Sequence, residues 1–521
     1  MERQSTVFWW WMPVILLVGL SFSTRLPAPW QMDVTNDEMH HLESWRNRYK
    51  SDDIYPLFLK KLEARKDLSP VRVEMVRKLY FSSSLVPHAL LVLVDPQPPI
   101  FPTLAEITAK VTDSSLMALR SWSVAFSLLA IWVGYLAGRE IAGRLCGLWL
   151  AILVCIGAVS QFFAGIGRPY ALTQLTILLA IWAFTRRQKD QTTLPRFLSW
   201  CLLAQAVQWM AWAVVGPLVI VELVRQWRGG TALAQLARRI WWYALISVLL
   251  LPEMFIQARN PVVIRQGGLM PLDFVWWCFA VASPTGHLGS FGDTALYAGS
   301  AVVLALGIAG AIVMLRRRRQ RQTTVLWLHT GLLAAALGGI LASIIVGVTV
   351  RFEVSYITPW LVLTAVGLWA LIPRPRAALI TATAVLLAFG WLSLWHPQDP
   401  FARIADYDVR WSQVAAVMKQ QQRPDGRWIG FAPSIACNIY RYGPFPEPIA
   451  PFRMEELKQL LDSGKVDTVP ILLELNGNYP GMTDLLKRRI QVIKAFPNGS
   501  DGDYYVVGRV MASRNDLAKS Q

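Results

Sequence analysis

Two short stretches of this chain have the residue types and spacing for chemistry on a hydroxyl and on a phosphate. The first is Thr35-Asn36-Asp37-Glu38. Thr35 and Glu38 have the S/T-x-x-E spacing of a capping box, which predicts a helix start. In one reading Glu38 caps that helix and Asp37 only favours its positive end. In the other, Asp37 is an exposed carboxylate held by backbone, placed to take a proton from a hydroxyl as a general base. The second stretch is Arg168-Pro169-Tyr170, with a parallel at Arg351, Tyr356 and Pro359. Each arginine falls where one apolar run ends and the next begins. Such an arginine either snorkels to lipid headgroups or holds an anionic group, since its planar fork matches phosphate. Two of them at one membrane face would clamp a single phosphate. His40 and His41 are adjacent, so on a helix they point apart and do not share a metal. The chain contains no HExxH, and no metal site is expected. Glu222 and Glu253 lie near the ends of apolar runs, where a carboxylate marks an ion path or is simply hydrated.

The elements that must position these residues are membrane spans. The 521 residues are 54% hydrophobic and 16% charged, with mean hydropathy +0.37. An average soluble chain carries about 25% charged residues. The deficit is concentrated in runs at 8–24, 121–137, 145–163, 169–185, 197–224, 240–256, 294–315, 324–350, 354–372 and 377–395. With the 197–224 run read as two short helices turning near Trp209, the pattern predicts about eleven spans of about 20 residues each. The net charge of +17 therefore belongs to loops, and nucleic-acid binding is not expected. With the N-terminus in the cytoplasm, the inner loops collect Arg139, Arg144, Arg186, Arg187, Lys189, Arg196, Arg225, Arg228, Arg238, Arg239, the run Arg316 to Arg319 with Arg321, Arg374 and Arg376. The short outer loops hold only Arg168, Arg259, Arg265 and Arg351. The positive-inside rule then sets the orientation, and an odd number of spans sends the C-terminus outside. Tryptophans near run ends, as at Trp9–Trp11, Trp241–Trp242 and Trp276–Trp277, fit an interfacial belt. The first 24 residues read as a retained anchor, not a cleaved signal.

Two segments are too polar for the bilayer. Residues 25–118 form an outer loop with helical stretches around 36–50 and 56–66. Its semi-apolar piece at 85–107 is broken by Pro96, Pro98, Pro99 and Pro102, so it lies on or dips into the membrane surface. Residues 396–521 alternate strand and helix patterns and read as a small soluble α/β domain. Its expected strands are Trp428–Pro433, Val469–Leu475, Ile490–Phe496 and Tyr504–Val510, and its expected helices Val409–Gln422, Met454–Asp462 and Thr483–Arg489. Cys146, Cys155, Cys201, Cys278 and Cys437 show no CxxC or metal-ligand spacing.

Several of these residues occur in an order that resembles the GT-C glycosyltransferases, in particular the bacterial glycosyltransferase family 39-like proteins, the protein O-mannosyltransferases and aminoarabinose transferases. Asp37-Glu38 follows the first span, as the acidic pair does in that family. Asp95-Pro96-Gln97-Pro98-Pro99 resembles its D-x-H-P-P-L region. Arg120 through Gly138-Arg139 resembles its second span, Gln161 with Gly167-Arg168-Pro169-Tyr170 its following turn, and Arg351 to Pro359 its later R-Y-x-x-P site. Gln97 stands where the family has His, and Phe352-Glu353-Val354-Ser355 separates Arg351 from Tyr356. The resemblance implies a polytopic α-helical membrane protein of GT-C type, with residues 1–395 as the transmembrane domain and 396–521 as an extracytoplasmic domain. It implies a polyprenyl-phosphate sugar donor, a lipid, glycan or protein hydroxyl as acceptor, and inversion at the anomeric carbon with Asp37 as base and Glu38 positioning it. Arg168, Tyr170, Arg351 and Tyr356 would hold the donor phosphate, with no cofactor and divalent metal left open. The location implied is the bacterial cytoplasmic membrane. Competing readings are a transporter or lipid flippase, and an inactive relative that binds polyprenyl lipid. Transporters often show repeated halves and mid-span charges; this sequence shows no evident repeat and few such charges.

Overall fold

The computed structural model describes residues 2–26, a few helical residues between 100 and 111, and 115–258, 293–318, 323–346, 353–395, 411–431, 449, 454–475, 489–498 and 503–511. They divide into two compact units, a helical one ending by residue 395 and a second one within 411–511.

In the helical unit the order is α1 (Glu2–Arg25), α2 (Ser115–Ala142), α3 (Arg144–Ile156), α4 (Ala158–Gly165), α5 (Tyr170–Gln188), α6 (Leu194–Val207), α7 (Trp212–Arg228), α8 (Leu233–Ala258), α9 (Asp293–Arg318), α10 (Thr323–Val346), α11 (Glu353–Leu371) and α12 (Pro375–Trp395). Each apolar run of the sequence becomes a helix, because in hydrocarbon only a helix satisfies its own backbone polar groups. The run at 197–224 divides into α6 and α7 around a 3₁₀ turn at Trp209–Ala211, where the sequence places its break. Among the described residues three helices are long and apolar enough to cross a membrane, or four if the bent pair α3–α4 counts as one span. Shorter apolar helices at Leu194–Val207, Val325–Leu341 and Ile357–Leu371 lie beside them.

Small residues set the closest helix contacts. The α2–α3 hairpin turns at Gly143, whose φ of +94° suits glycine. α9 lies against α11 so closely that a Cβ at Gly310 would sit 1.9 Å from the carbonyl oxygen of Leu363. A Cβ at Gly367 would in turn sit 2.1 Å from that of Leu306. Small residues at a membrane helix interface allow this approach. α1 packs on α12, which brings the first and last helices of the unit together.

The basic loops meet at one end of the bundle. Glu222 on α7 is fully buried there. It accepts from Arg187 Nε at 3.0 Å, Arg225 Nε at 2.8 Å and Arg225 Nη2 at 2.9 Å, and from Gln188 at 3.0 Å and Gln226 at 2.8 Å. Arg239 donates to Gln226, and Lys189 to the carbonyl of Glu140. Glu222 is thus neither a hydrated carboxylate nor a step on an ion path. Its lone pairs are occupied by side chains of α5 and α7, which it ties together. The side chain of Glu253 lies outside the described residues.

The second unit holds α13 (Trp411–Gln421), β1 (Ile429–Gly430), α14 (Met454–Asp462), β2 (Pro470–Leu475), β3 (Ile490–Asn498) and β4 (Asp503–Val510). The sheet order is β1-β2-β4-β3. β1 and β2 are parallel, as a crossover carrying α14 requires. β4 is antiparallel to both its neighbours, with Leu472 opposite Val507. Ile429, Phe431, Leu457, Leu461, Val469, Ile471, Leu473, Ile490 and Val510 form the core between sheet and helix. The expected strands Val469–Leu475, Ile490–Phe496 and Tyr504–Val510 and two of the expected helices are present; of Trp428–Pro433 only Ile429–Gly430 is strand among the described residues, and Thr483–Arg489 falls, but for its last residue, outside them.

Candidate functional site

The site is built around the turn between α4 and α5. α3 stops at Gly157, whose ψ of 122° takes the chain out of the helix, and α4 leaves at 57° to α3. α4 is eight residues long and delivers the turn Ile166-Gly167-Arg168-Pro169. Pro169 then opens α5. Its ring fixes φ, here −67°, and it has no N–H to leave unsatisfied at a helix start. The Pro169 carbonyl accepts the Thr173 backbone N–H at 2.8 Å and the Thr173 hydroxyl at 3.0 Å. Arg168 N donates to Ile166 O at 2.8 Å, and Arg168 O accepts from Ser123 Oγ of α2 at 3.2 Å. The backbone that carries the arginine is therefore held both from within the turn and from the neighbouring helix.

Arg168 is only 6% exposed. Its guanidinium carbon lies 5.8 Å from the centre of the Tyr170 ring, within cation–π range. Tyr170 is buried in turn, with the Phe163 ring centre 4.4 Å from its own. Beside this pair Gln174 donates to Ser160 Oγ at 2.9 Å, so α4 and the start of α5 are also joined by a buried polar contact. Arg120, 1% exposed, lies on α2 three residues before Ser123. Residues three apart share a helix face, so this second buried arginine belongs to the same end of the bundle. Buried guanidiniums are expensive to desolvate. Two of them lie at this end, and Arg168 is set against the ring of Tyr170. The arrangement offers electrostatic stabilisation and hydrogen-bond donors, but among the described residues it supplies no base. Nor do three or more His, Cys, Asp or Glu side chains gather as metal ligands among those residues.

Of the residues expected from sequence, the structure brings Arg168 and Tyr170 together. Asp37, Glu38 and Arg351 lie outside the described residues. Tyr356 is in the first turn of α11, next to the buried Ser355 and Ile357, and its own side chain is not described. Sequence reading gave no role in the site to Arg120 or to Arg25, the last residue of α1. A charge at the end of an apolar run reads as a membrane flank. Only the packing shows that both are enclosed by protein.

No protein family matches the chain by sequence, and no curated protein does. Its fold is that of the GT-C glycosyltransferases. The crystal structure of ArnT, the aminoarabinose transferase, from Cupriavidus metallidurans in the apo state is similar over 95% of this chain and 97% of that one. The TM-score is 0.53 at 11% identity. The structure of the same ArnT bound to undecaprenyl phosphate is similar over the same spans, with a TM-score of 0.52 and 11% identity. At that identity the likeness is one of fold.

Proposed function

We propose that this chain transfers a sugar from a polyprenyl-phosphate donor to a hydroxyl of a lipid, glycan or protein at the outer face of a bacterial cytoplasmic membrane. The observation that carries this reading is the buried Arg168, set over Tyr170 at a helix start, in the fold in which ArnT has been crystallised with undecaprenyl phosphate. The acceptor oxygen forms a bond to the anomeric carbon as the bond from that carbon to the phosphate oxygen breaks, and its proton passes to Asp37. Attack from the face opposite the leaving phosphate inverts the centre. Negative charge grows on that phosphate in the transition state, where a fixed guanidinium in a water-poor site stabilises it most. Arg168 and Tyr170 take this role, and Arg351 and Tyr356 complete the phosphate site. Glu38 positions Asp37. Residues 1–395 carry the chemistry, and residues 396–521 form a domain on the outer side.

The test is sugar transfer in proteoliposomes supplied with polyprenyl-phosphate sugars and membrane extract as acceptor. Asp37→Asn is expected to lower turnover by about 10²- to 10⁴-fold, the range of a general base, with undecaprenyl phosphate binding unchanged. Arg168→Ala removes charged hydrogen bonds, each worth about 1.5–3 kcal/mol, and is expected to weaken that binding by at least about tenfold. Transfer that survives Asp37→Asn takes Asp37 out of the mechanism. Undiminished lipid binding in Arg168→Ala leaves that arginine a structural residue.

A further inference from the structure

Arg25 closes α1 and is fully buried. Its guanidinium is used on all sides. Nε donates to Ser127 Oγ at 2.7 Å. Nη1 donates to Thr24 Oγ1 at 3.1 Å and faces Cys155 Sγ at 3.8 Å. Nη2 donates to Val154 O at 3.2 Å and to Cys155 O at 3.0 Å. None of these partners is a carboxylate.

The two carbonyls explain the arrangement. In an unbroken helix Val154 O and Cys155 O would accept from the amides of residues 158 and 159. The break at Gly157 removes those donors and leaves the carbonyls at a buried helix end, where unpaired groups are costly. Arg25 supplies replacements from a different helix, and Gln161 of α4 adds a third bond, its Nε2 to Cys155 O at 3.1 Å. The positive charge also sits at the negative end of α3. Ser127, which fixes the other edge of the guanidinium, is one turn along α2 from Ser123, which holds the carbonyl of Arg168. One face of α2 thus carries both anchors. The guanidinium lies about 6 Å, the rise of four residues, further along α2 than the Arg168 turn.

We infer that Arg25 is a positioning residue: it pins the α3–α4 break and so sets the direction in which α4 delivers Arg168 and Tyr170. The inference rests on the reading of Arg168 as the phosphate-holding side chain only for its effect on ligand binding. Its structural content is independent of that reading. A lysine at position 25 keeps the charge but has no planar fork to reach Ser127 and both carbonyls at once.

The experiment uses the full chain in nanodiscs with 3-fluorotyrosine in place of Tyr170. It reads the ¹⁹F resonance at that position and the binding of undecaprenyl phosphate. Arg25→Met is expected to move and broaden the resonance and to weaken binding by roughly 10- to 100-fold, as a small misplacement of a binding group does. Arg25→Lys is expected to fall between Met and the parent chain in both measurements. A resonance unchanged in both variants overturns the inference. If Arg25→Met does not fold, Arg25→Lys decides alone, and an unchanged resonance overturns the inference as before. A parent chain that fails to bind undecaprenyl phosphate counts against the proposed function, while the ¹⁹F comparison still decides the role of Arg25.

Discussion

Arg168 and Arg187 are both arginines at the ends of apolar runs, and their surroundings in the structure differ. Arg187 is neutralised by Glu222 in a knot that also includes Arg225, Gln188 and Gln226. Arg168 is buried against an aromatic ring at a helix start. Removing one partner of a buried pair costs about 3–5 kcal/mol, because the remaining charges lose their compensation. Glu222→Ala is therefore expected to lower unfolding stability in detergent by about 3 kcal/mol, since both arginines are partly exposed and can recover some solvation. A melting temperature equal to that of the parent chain would show that the knot holds nothing together. In the second unit, the Asp425 carboxyl is held below its ordinary value, first by the backbone N–H of Arg427, then by the Arg427 and Arg423 side chains. The folded value is depressed, so this contact helps the fold above the ordinary value of 3.8 and is lost as acid protonates the carboxylate. Carbon-detected NMR titration is expected to place the Asp425 midpoint below 3.8, and a midpoint at or above it would remove the contact.

At the scale of elements, glycine decides which helices can touch. The α9–α11 contact brings Gly310 against the Leu363 carbonyl and Gly367 against that of Leu306. A side chain at either position forces the helices apart, and overpacking of this kind typically costs about 1–3 kcal/mol. Gly310→Val should lower the thermal midpoint in detergent, while Gly19→Val, where a Cβ meets nothing within 4 Å, should not. Equal midpoints would mean that α9 and α11 are not packed as described. Helix existence was legible from sequence, since each run of apolar residues became a helix, and the break near Trp209 was legible too. The break at Gly157 was not. The run at 145–163 is apolar as far as Val159 and already carries Gly147 inside α3, and an isolated glycine such as Gly157 is tolerated within a helix. The carbonyls that the break leaves open are met by donors from elsewhere, Arg25 among them, which local sequence does not reveal.

For the molecule as a whole, the loops at 139–144, 186–196 and 225–239 meet at one end of the bundle through the Glu140–Lys189 and Glu222–Arg187 pairs and the Arg239–Gln226 bond. Those are the loops that charge bias assigns to the cytoplasm. Alkaline phosphatase fused after Gln521 is accordingly expected to be active in intact cells, and a green fluorescent protein fused there to be dark. The reverse pattern would invert the proposed orientation and with it the side on which Asp37 and Arg168 work.

By itself the sequence determined that the chain is built for a bilayer, where most of its helices run, where the strands of its polar tail fall, and that a helix starts at Pro169 beside Arg168 and Tyr170. These follow from local rules: apolar length, alternation of residues along strands, proline at a helix start. Only the tertiary structure decided that Glu222 is consumed in a structural knot, and that Arg25 and Arg120 are enclosed by protein instead of facing lipid headgroups. The physical reason is that the cost of a charge depends on what surrounds it. For Arg25 those surroundings come from residues more than a hundred positions along the chain.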